Sequence, residues 1–401
     1  FPRPGIEAYQ VTLSIDQKVA ATAKSLQVYP EILALFKGKL GISRIQIESP
    51  DITLPFPTER AEAEQRPEGT MREAFEEIVA RVAGILPRLK VVMNDGRLNL
   101  VRGSQTVLSI KDIDANVTGP PREPKIQITC RSSLWERMSA EATMDPVNLK
   151  GHGHIEIAGF QPHLLSDFLS LGSPLKITDS ELDLNIGFET KGQGMFRAAL
   201  EGSVSKLTFE EGSQQTVIRG RHIRGAFQVE GRRIDISLGE LDLEYPRLIL
   251  AGKFGIDRDQ SHLALEVQGR EIDVASTREV ALMLAHKIPV MHTIFDIVRE
   301  GRIPSIAFQS HGRTMSELDD TERFTLQAKI LDGKISAPVG EPGRDSEDCT
   351  LLKVSGEAVI SRGILEAGNV RAQWEGQQLQ DGKLRVGLEG EDAALHVEIA
   401  G

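Results

Sequence analysis

The sequence predicts a mainly β protein: an elongated, twisted antiparallel sheet with a few inserted α-helices. Three observations predict it. Apolar and polar residues alternate along most of the chain, glycine-bearing turn signals separate the alternating runs, and only three segments switch to helical spacing.

The strands alternate on a two-residue period. In the run from Glu181 to Glu189, Leu182, Leu184, Ile186 and Phe188 all fall on one face. Val11, Leu13 and Ile15 repeat the pattern, as do Ile126 and Ile128, then Ile234, Ile236 and Leu238, then Leu241 and Leu243. Leu263, Leu265 and Val267 follow, with Leu384, Val386 and Leu388, and Leu395, Val397 and Ile399, near the end. One-sided alternation marks antiparallel sheet with one dry face and one wet face. Asp95-Gly96, Asp332-Gly333 and Asp381-Gly382 each precede a base and an apolar residue. That pattern predicts tight hairpin turns, because glycine supplies the positive φ they need.

Three segments read as helix. Thr70 with Glu73 makes a capping box ahead of Met71, Phe75, Ile78, Val79, Val82, Leu86 and Leu89. Pro162 opens a short helix that Gly172 closes. Ser276 with Glu279 caps a third that starts at Thr277, splits at Pro289 and ends at Gly301. The stretches 55–69, 119–124 and 340–348 are polar loops, too short to separate independent domains. The resulting layout is a strand region over 1–60, a linker with an amphipathic helix over 61–90 and a β-groove region over 91–275. A helical insertion over 276–303 and a C-terminal β region over 304–401 complete it.

Composition narrows the function. Of 401 residues 40% are hydrophobic, which supports a large core and argues against disorder. Lys and Arg number 47 against 58 Asp and Glu, and the bases are scattered, so no positive field exists for nucleic acid. The cysteines, Cys130 and Cys349, are far apart in sequence and read as two unrelated thiols. The chain starts at Phe1, which suggests a processed or truncated piece. No signal peptide stands out, and no long uncharged apolar run spans a bilayer. The nearest approach, Val280 to Val298, is broken by His286, Lys287, Pro289, His292 and Asp296. Any membrane anchor would therefore lie outside this chain.

Catalytic signatures are missing from the sequence. Every Gly-Lys pair precedes Leu, Phe or Ile, so no phosphate loop forms, and neither Gly151-His152-Gly153 nor Gly192-Gln193-Gly194 has the third glycine of a dinucleotide site. There is no nucleophile elbow and no zinc-protease motif. His152, His154 and Glu156 share one strand face, but the plainer reading is a wet face with Ile155 and Ile157 turned inward. Asp183, Asp235 and Asp242 are explained the same way, and the sequon Asn116-Val117-Thr118 is weak evidence alone. No enzyme activity, metal or cofactor is expected. A dry sheet face must be covered by a second sheet, by helices or by a ligand. Pattern alone puts a sandwich or helix-covered sheet first and an open groove second, although three helices are few for so many strands.

Several segments resemble the periplasmic part of AsmA-like bacterial envelope proteins. Leu40-Gly41-Ile42-Ser43-Arg44-Ile45-Gln46-Ile47-Glu48-Ser49-Pro50-Asp51-Ile52 is similar to the family's early periplasmic strand. Asp95 to Leu100 with Leu108 to Ile113 resembles the strand pair that comes next. Arg278 to Leu282 with Ile294 to Ile303 resembles the helical insertion of its large members, and Asp332 to Ile335 with Pro338-Val339 the strand after it. The preceding membrane anchor of the family is not in this chain.

The resemblance implies a sheet folded into a groove or taco-like half-barrel, in a periplasmic protein tethered to the inner membrane. It also implies outer membrane biogenesis through phospholipid transport, the apolar groove sheltering acyl chains between membranes. Expected partners are a phospholipid or other acyl-chain ligand, the membrane through its anchor, and envelope proteins. The family transfers no binding residues. Alternation selects Leu182, Leu184, Ile186, Phe188, Leu263, Leu265 and Val267 as lipid-contact candidates. The competing expectation is a non-catalytic structural or assembly factor that binds envelope proteins through its sheet edges.

Overall fold

A computed structural model describes residues 5–15, 19–38, 41–55, 88–103, 105–164, 176–192, 194–284, 289–318, 320–339, 347–387 and 395–400. The protein is mainly β, and its strands join a single 21-stranded hydrogen-bonded sheet. In chain order the first elements are β1 (Ile6–Ile15), β2 (Val19–Pro30), α1 (Ile32–Phe36), β3 (Ile42–Glu48), β4 (Asp51–Pro55) and β5 (Leu89–Arg102). Then come β6 (Gln105–Gly119), β7 (Lys125–Ser132), β8 (Arg137–Asp145), β9 (Lys150–Phe160), β10 (Lys176–Gly192) and β11 (Met195–Glu211). Next are β12 (Gln214–Glu230), β13 (Arg233–Tyr245), β14 (Leu248–Asp257), β15 (His262–Asp273), α2 (Val274–Leu284) and α3 (Pro289–Ile297). The chain continues through β16 (Val298–Gly312), β17 (Phe324–Val339), β18 (Glu347–Ser361), β19 (Ile364–Trp374), β20 (Gln377–Gly387) and β21 (Leu395–Ala400). Two compact units divide it: Phe1–Ser170 with Leu182–Ala198, and Leu171–Glu181 with Ala199–Gly401.

In the first unit β2 lies between β1 on one side and β3 and β4 on the other, all antiparallel. β3 and β4 run parallel to β5, an exception to the antiparallel rule expected from sequence. Parallel neighbours require a long crossover, and the chain between Pro55 and Leu89 is long enough to supply one. From β5 to β10 each strand pairs antiparallel with the next. The expected helix over 70–89 lies almost wholly outside the described residues, as does most of the one from Pro162 to Gly172. Cys130 is a buried free thiol. Its pKa is raised by burial, a shift partly offset by the Trp135 indole beside it.

In the second unit the strands from β12 to β21 pair antiparallel in succession. A small core forms where Leu243, Leu248 and Ile272 are buried together, with Ile218, Leu241, Leu250, Ile303 and Ile306 packed around them. Gly269 is needed there. A Cβ at that position would lie 2.6 Å from Ile306 Cγ2 and 2.8 Å from Ile272 Cδ1.

The α2 helix starts earlier than the sequence suggests. Its cap is Asp273, the last residue of β15, whose Oδ2 accepts from the Ser276 backbone N–H at 3.0 Å. The Ser276 hydroxyl donates to the same oxygen at 2.5 Å, so Ser276 serves the cap and is not itself the cap. The helix ends earlier too: α3 opens on Pro289, and β16 begins at Val298 rather than after Gly301.

The three Asp-Gly pairs are not hairpin turns. They sit inside β5, β17 and β20, with φ of 53° at Asp95, 52° at Asp332 and 56° at Asp381, each beside a shift in strand register. These are β-bulges, which use the same left-handed tolerance of aspartate that a tight turn would. Real two-residue turns are Arg362-Gly363 and Glu375-Gly376, where both residues have positive φ and Ser361 pairs with Ile364 and Trp374 with Gln377. From β15 to β20 every strand carries one interior left-handed residue: Glu271, Gly301, Asp332, Lys353, Asn369 and Asp381. Together they form a crease across the strands.

Candidate functional site: an apolar sheet face

Cross-strand partners share a face, so pair register shows which side chains lie together. In the first unit one row runs Ile6–Val28–Ile45–Val91–Val117–Ile126–Ala142–Gly153–Phe188. The next row runs Ala8–Leu26–Ile47–Met93–Ala115–Ile128–Ala140–Ile155–Ile186. Both cross β1, β2, β3 and β5 to β10 without a polar side chain. At about 4.8 Å per strand, each row is on the order of 40 Å long.

The opposite face is mainly polar, with Val92 of β5 an apolar exception between Gln46 and Asn116. Gln27 donates to Glu7 at 2.8 Å, Asn94 to Glu48 at 2.8 Å and Gln127 to Glu141 at 2.7 Å. His152, His154 and Glu156 lie on this wet side, with His154 Nε2 3.2 Å from Glu156 Oε1. Among the described residues no group of three or more His, Cys, Asp or Glu could hold a metal ion.

Burial separates this face from an ordinary core. Apart from Ile6 and Ala8, exposed on β1, every residue of the two rows is half-buried and none is fully buried. The buried apolar residues Cys130 and Leu134 sit off the rows, where the Gln161 N–H donates to the Leu134 carbonyl at 2.7 Å.

The second unit carries a comparable row, but one whose member Ile360 is fully buried. The row runs Gly225–Leu238–Gly252–Val267–Phe308–Leu326–Ile360–Leu365. Beside it lie Phe227, Ile236, Phe254, Leu265, Ser310 and Phe324. Here the face is closed at its ends. Next to the core of Leu243, Leu248 and Ile272, α2 buries Val274, Val280 and Met283, and α3 buries Phe295. Arg278 ties the two helices together, donating to the Phe295 carbonyl at 2.9 Å. Tyr245 of β13 donates to Glu279 of α2 at 2.7 Å, and this hydrogen bond raises the tyrosine pKa. At the other end the Ser310 hydroxyl donates to the Leu318 carbonyl at 2.8 Å, drawing the β16–β17 connection over the face and burying Leu318 and Phe324.

All seven candidates fall on these apolar faces. Leu182, Leu184, Ile186 and Phe188 belong to the first unit, pairing with Phe160, Ile157, Ile155 and Gly153. Leu263, Leu265 and Val267 belong to the second. Each is half-buried. Sequence reasoning missed the partners on neighbouring strands, such as Val91, Val117 and Met93. Their own alternation was visible, but register, which aligns them into rows, is a non-local property.

One concavity of the second unit is on the wrong side for these residues. It holds about 540 Å³ and is lined by Arg270, Ser305, Lys329 and Glu357, cross-strand partners on the polar face, with Gln268 and Gln327 beside them. Its charges are already paired: Arg270 with Glu240 at 2.9 Å and Lys329 with Glu357 at 3.7 Å. The hollow beside the crease is therefore a feature separate from the apolar face. No protein-family model matches the chain, and no curated protein matches it either.

Proposed function

We propose that this protein handles lipid, sheltering acyl chains against the apolar rows of its sheet. The observation that carries the reading is the pair of unbroken apolar rows in the first unit, none of whose residues is fully buried. A closed core of such side chains would bury its central members. Each methylene taken out of water contributes about 0.8 kcal/mol, so a chain lying along a row is held by many weak contacts. No single directional bond has to break for it to slide. The row length, on the order of 40 Å, exceeds the roughly 30 Å hydrocarbon thickness of a whole bilayer, so it accommodates more than one acyl chain end to end.

The resemblance to AsmA-like proteins supports phospholipid as the cargo and the periplasm as the setting. An assembly factor working only through sheet edges would have no use for so much uncovered apolar surface. Native mass spectrometry of protein purified from bacterial membranes tests the reading, together with a photo-crosslinker at Leu184. Bound phospholipid and a lipid adduct at Leu184 are expected. Absence of both refutes the proposal.

A further inference from the structure

We propose that α1 and the adjoining strand end dock on an anionic membrane surface. Among the described residues the three most exposed large hydrophobic side chains are Phe36 at 84%, Ile6 at 74% and Leu33 at 72%. All three lie at one end of the first unit: Ile6 pairs with Val28, two residues before β2 ends, and α1 follows at once. Ile32 and Leu35 are exposed beside them, and α1 buries no residue at all.

Much of the backbone of this tip is paired internally. The Glu31 N–H donates to the Gly41 carbonyl at 2.7 Å, Ala34 and Leu35 donate back to Glu31, and Lys37 and Gly38 close the last turn. A five-residue helix has little intrinsic stability in water, so that closure is what holds it in shape. Paired backbone groups beneath outward apolar side chains are what a lipid environment demands.

Charge and size select the occupant. From Leu26 to Ile47 the sequence carries Lys37, Lys39 and Arg44 against Glu31, with Glu7 beside Ile6 as a second acid, in a protein whose net charge is −11. A local positive excess beside an apolar wedge favours anionic headgroups. A handful of side chains falls well short of the roughly 800 Å² per partner that a stable protein interface takes. A bilayer needs no such area, because a short wedge enters it side chain by side chain.

The docking does not depend on the acyl-chain reading, and one experiment separates the two. Wild-type protein and the double variant Leu33→Ser, Phe36→Ser are sedimented with vesicles of phosphatidylglycerol and phosphatidylethanolamine, and with vesicles of phosphatidylcholine alone. The wild type is expected to bind the anionic vesicles at least tenfold better than the double variant does, and better than it binds phosphatidylcholine. Thermal melting and co-purified lipid should be the same in both proteins, since the tip packs against nothing and the sheet rows are untouched. Equal vesicle binding by the two proteins, or none by the wild type, overturns the docking. So does a wild-type dimer that the double variant disperses, which would make a second copy the occupant. Vesicle binding without co-purified lipid would instead sustain the docking and remove the sheltering role.

Discussion

In the second unit the same kind of side chain has two fates. Leu248 and Ile272, at the end closed by α2 and α3, are 6% and 7% exposed. Leu265 and Val267, on the same face in the same strand as Ile272, stay half-buried. Residue type does not distinguish them; the neighbours that close around them do. Ile218, Leu241, Leu250, Ile303 and Ile306 pack against the core beside α2, and the open rows keep the surface that a ligand would need. Stability and cargo should therefore respond to different substitutions.

The largest effect is expected at the closed end. Leu248→Asp places an unpaired charge in the small core and should cost about 3–5 kcal/mol, enough to unfold the second unit in a urea titration. A midpoint equal to wild type would mean that this cluster adds no stability. Gly269→Val tests the same region from the backbone side, with about 1–3 kcal/mol lost to overpacking against Ile306 and Ile272. Next comes Asp273→Ala, which removes the α2 cap for about 1 kcal/mol and should loosen amide exchange protection in α2 before that of β15. Unchanged exchange in α2 would show that tertiary packing alone holds it.

The smallest change in stability is expected in the open rows. Leu265→Asp, like Leu184→Asp in the first unit, should leave a folded protein within about 1 kcal/mol of wild type that no longer retains lipid. Collapse of either variant would place these residues in a sealed core and erase the contrast between open and closed regions.

Much of this fold was legible in the sequence because the two-residue period survives in nearly every strand. Leu182 to Phe188 and Leu263 to Val267 were placed on apolar faces by alternation alone, and the structure keeps them there. The Asp-Gly pairs were misread for a physical reason. Bulge and hairpin demand the same left-handed backbone, and only the partner strand decides between them. Arg362-Gly363 and Glu375-Gly376 make turns with weaker turn formers, since short loops between paired strands override local preference. The start of α2 was displaced because Asp273 ends a strand and caps a helix at once. The rows and the exposed tip at Phe36 depend on which strands meet, which no single segment encodes.

The crease from Glu271 to Asp381 bears on how such a chain avoids mispairing. Strands this alike could slide past one another by two residues and still keep oil against oil and water against water, so hydrophobicity alone leaves the alignment ambiguous. An interior kink in each of β15 to β20 removes that ambiguity, because a slipped hairpin would set a left-handed residue opposite regular strand. Any new hairpin spliced into this stretch would have to bring its own kink, which limits how the sheet can be lengthened.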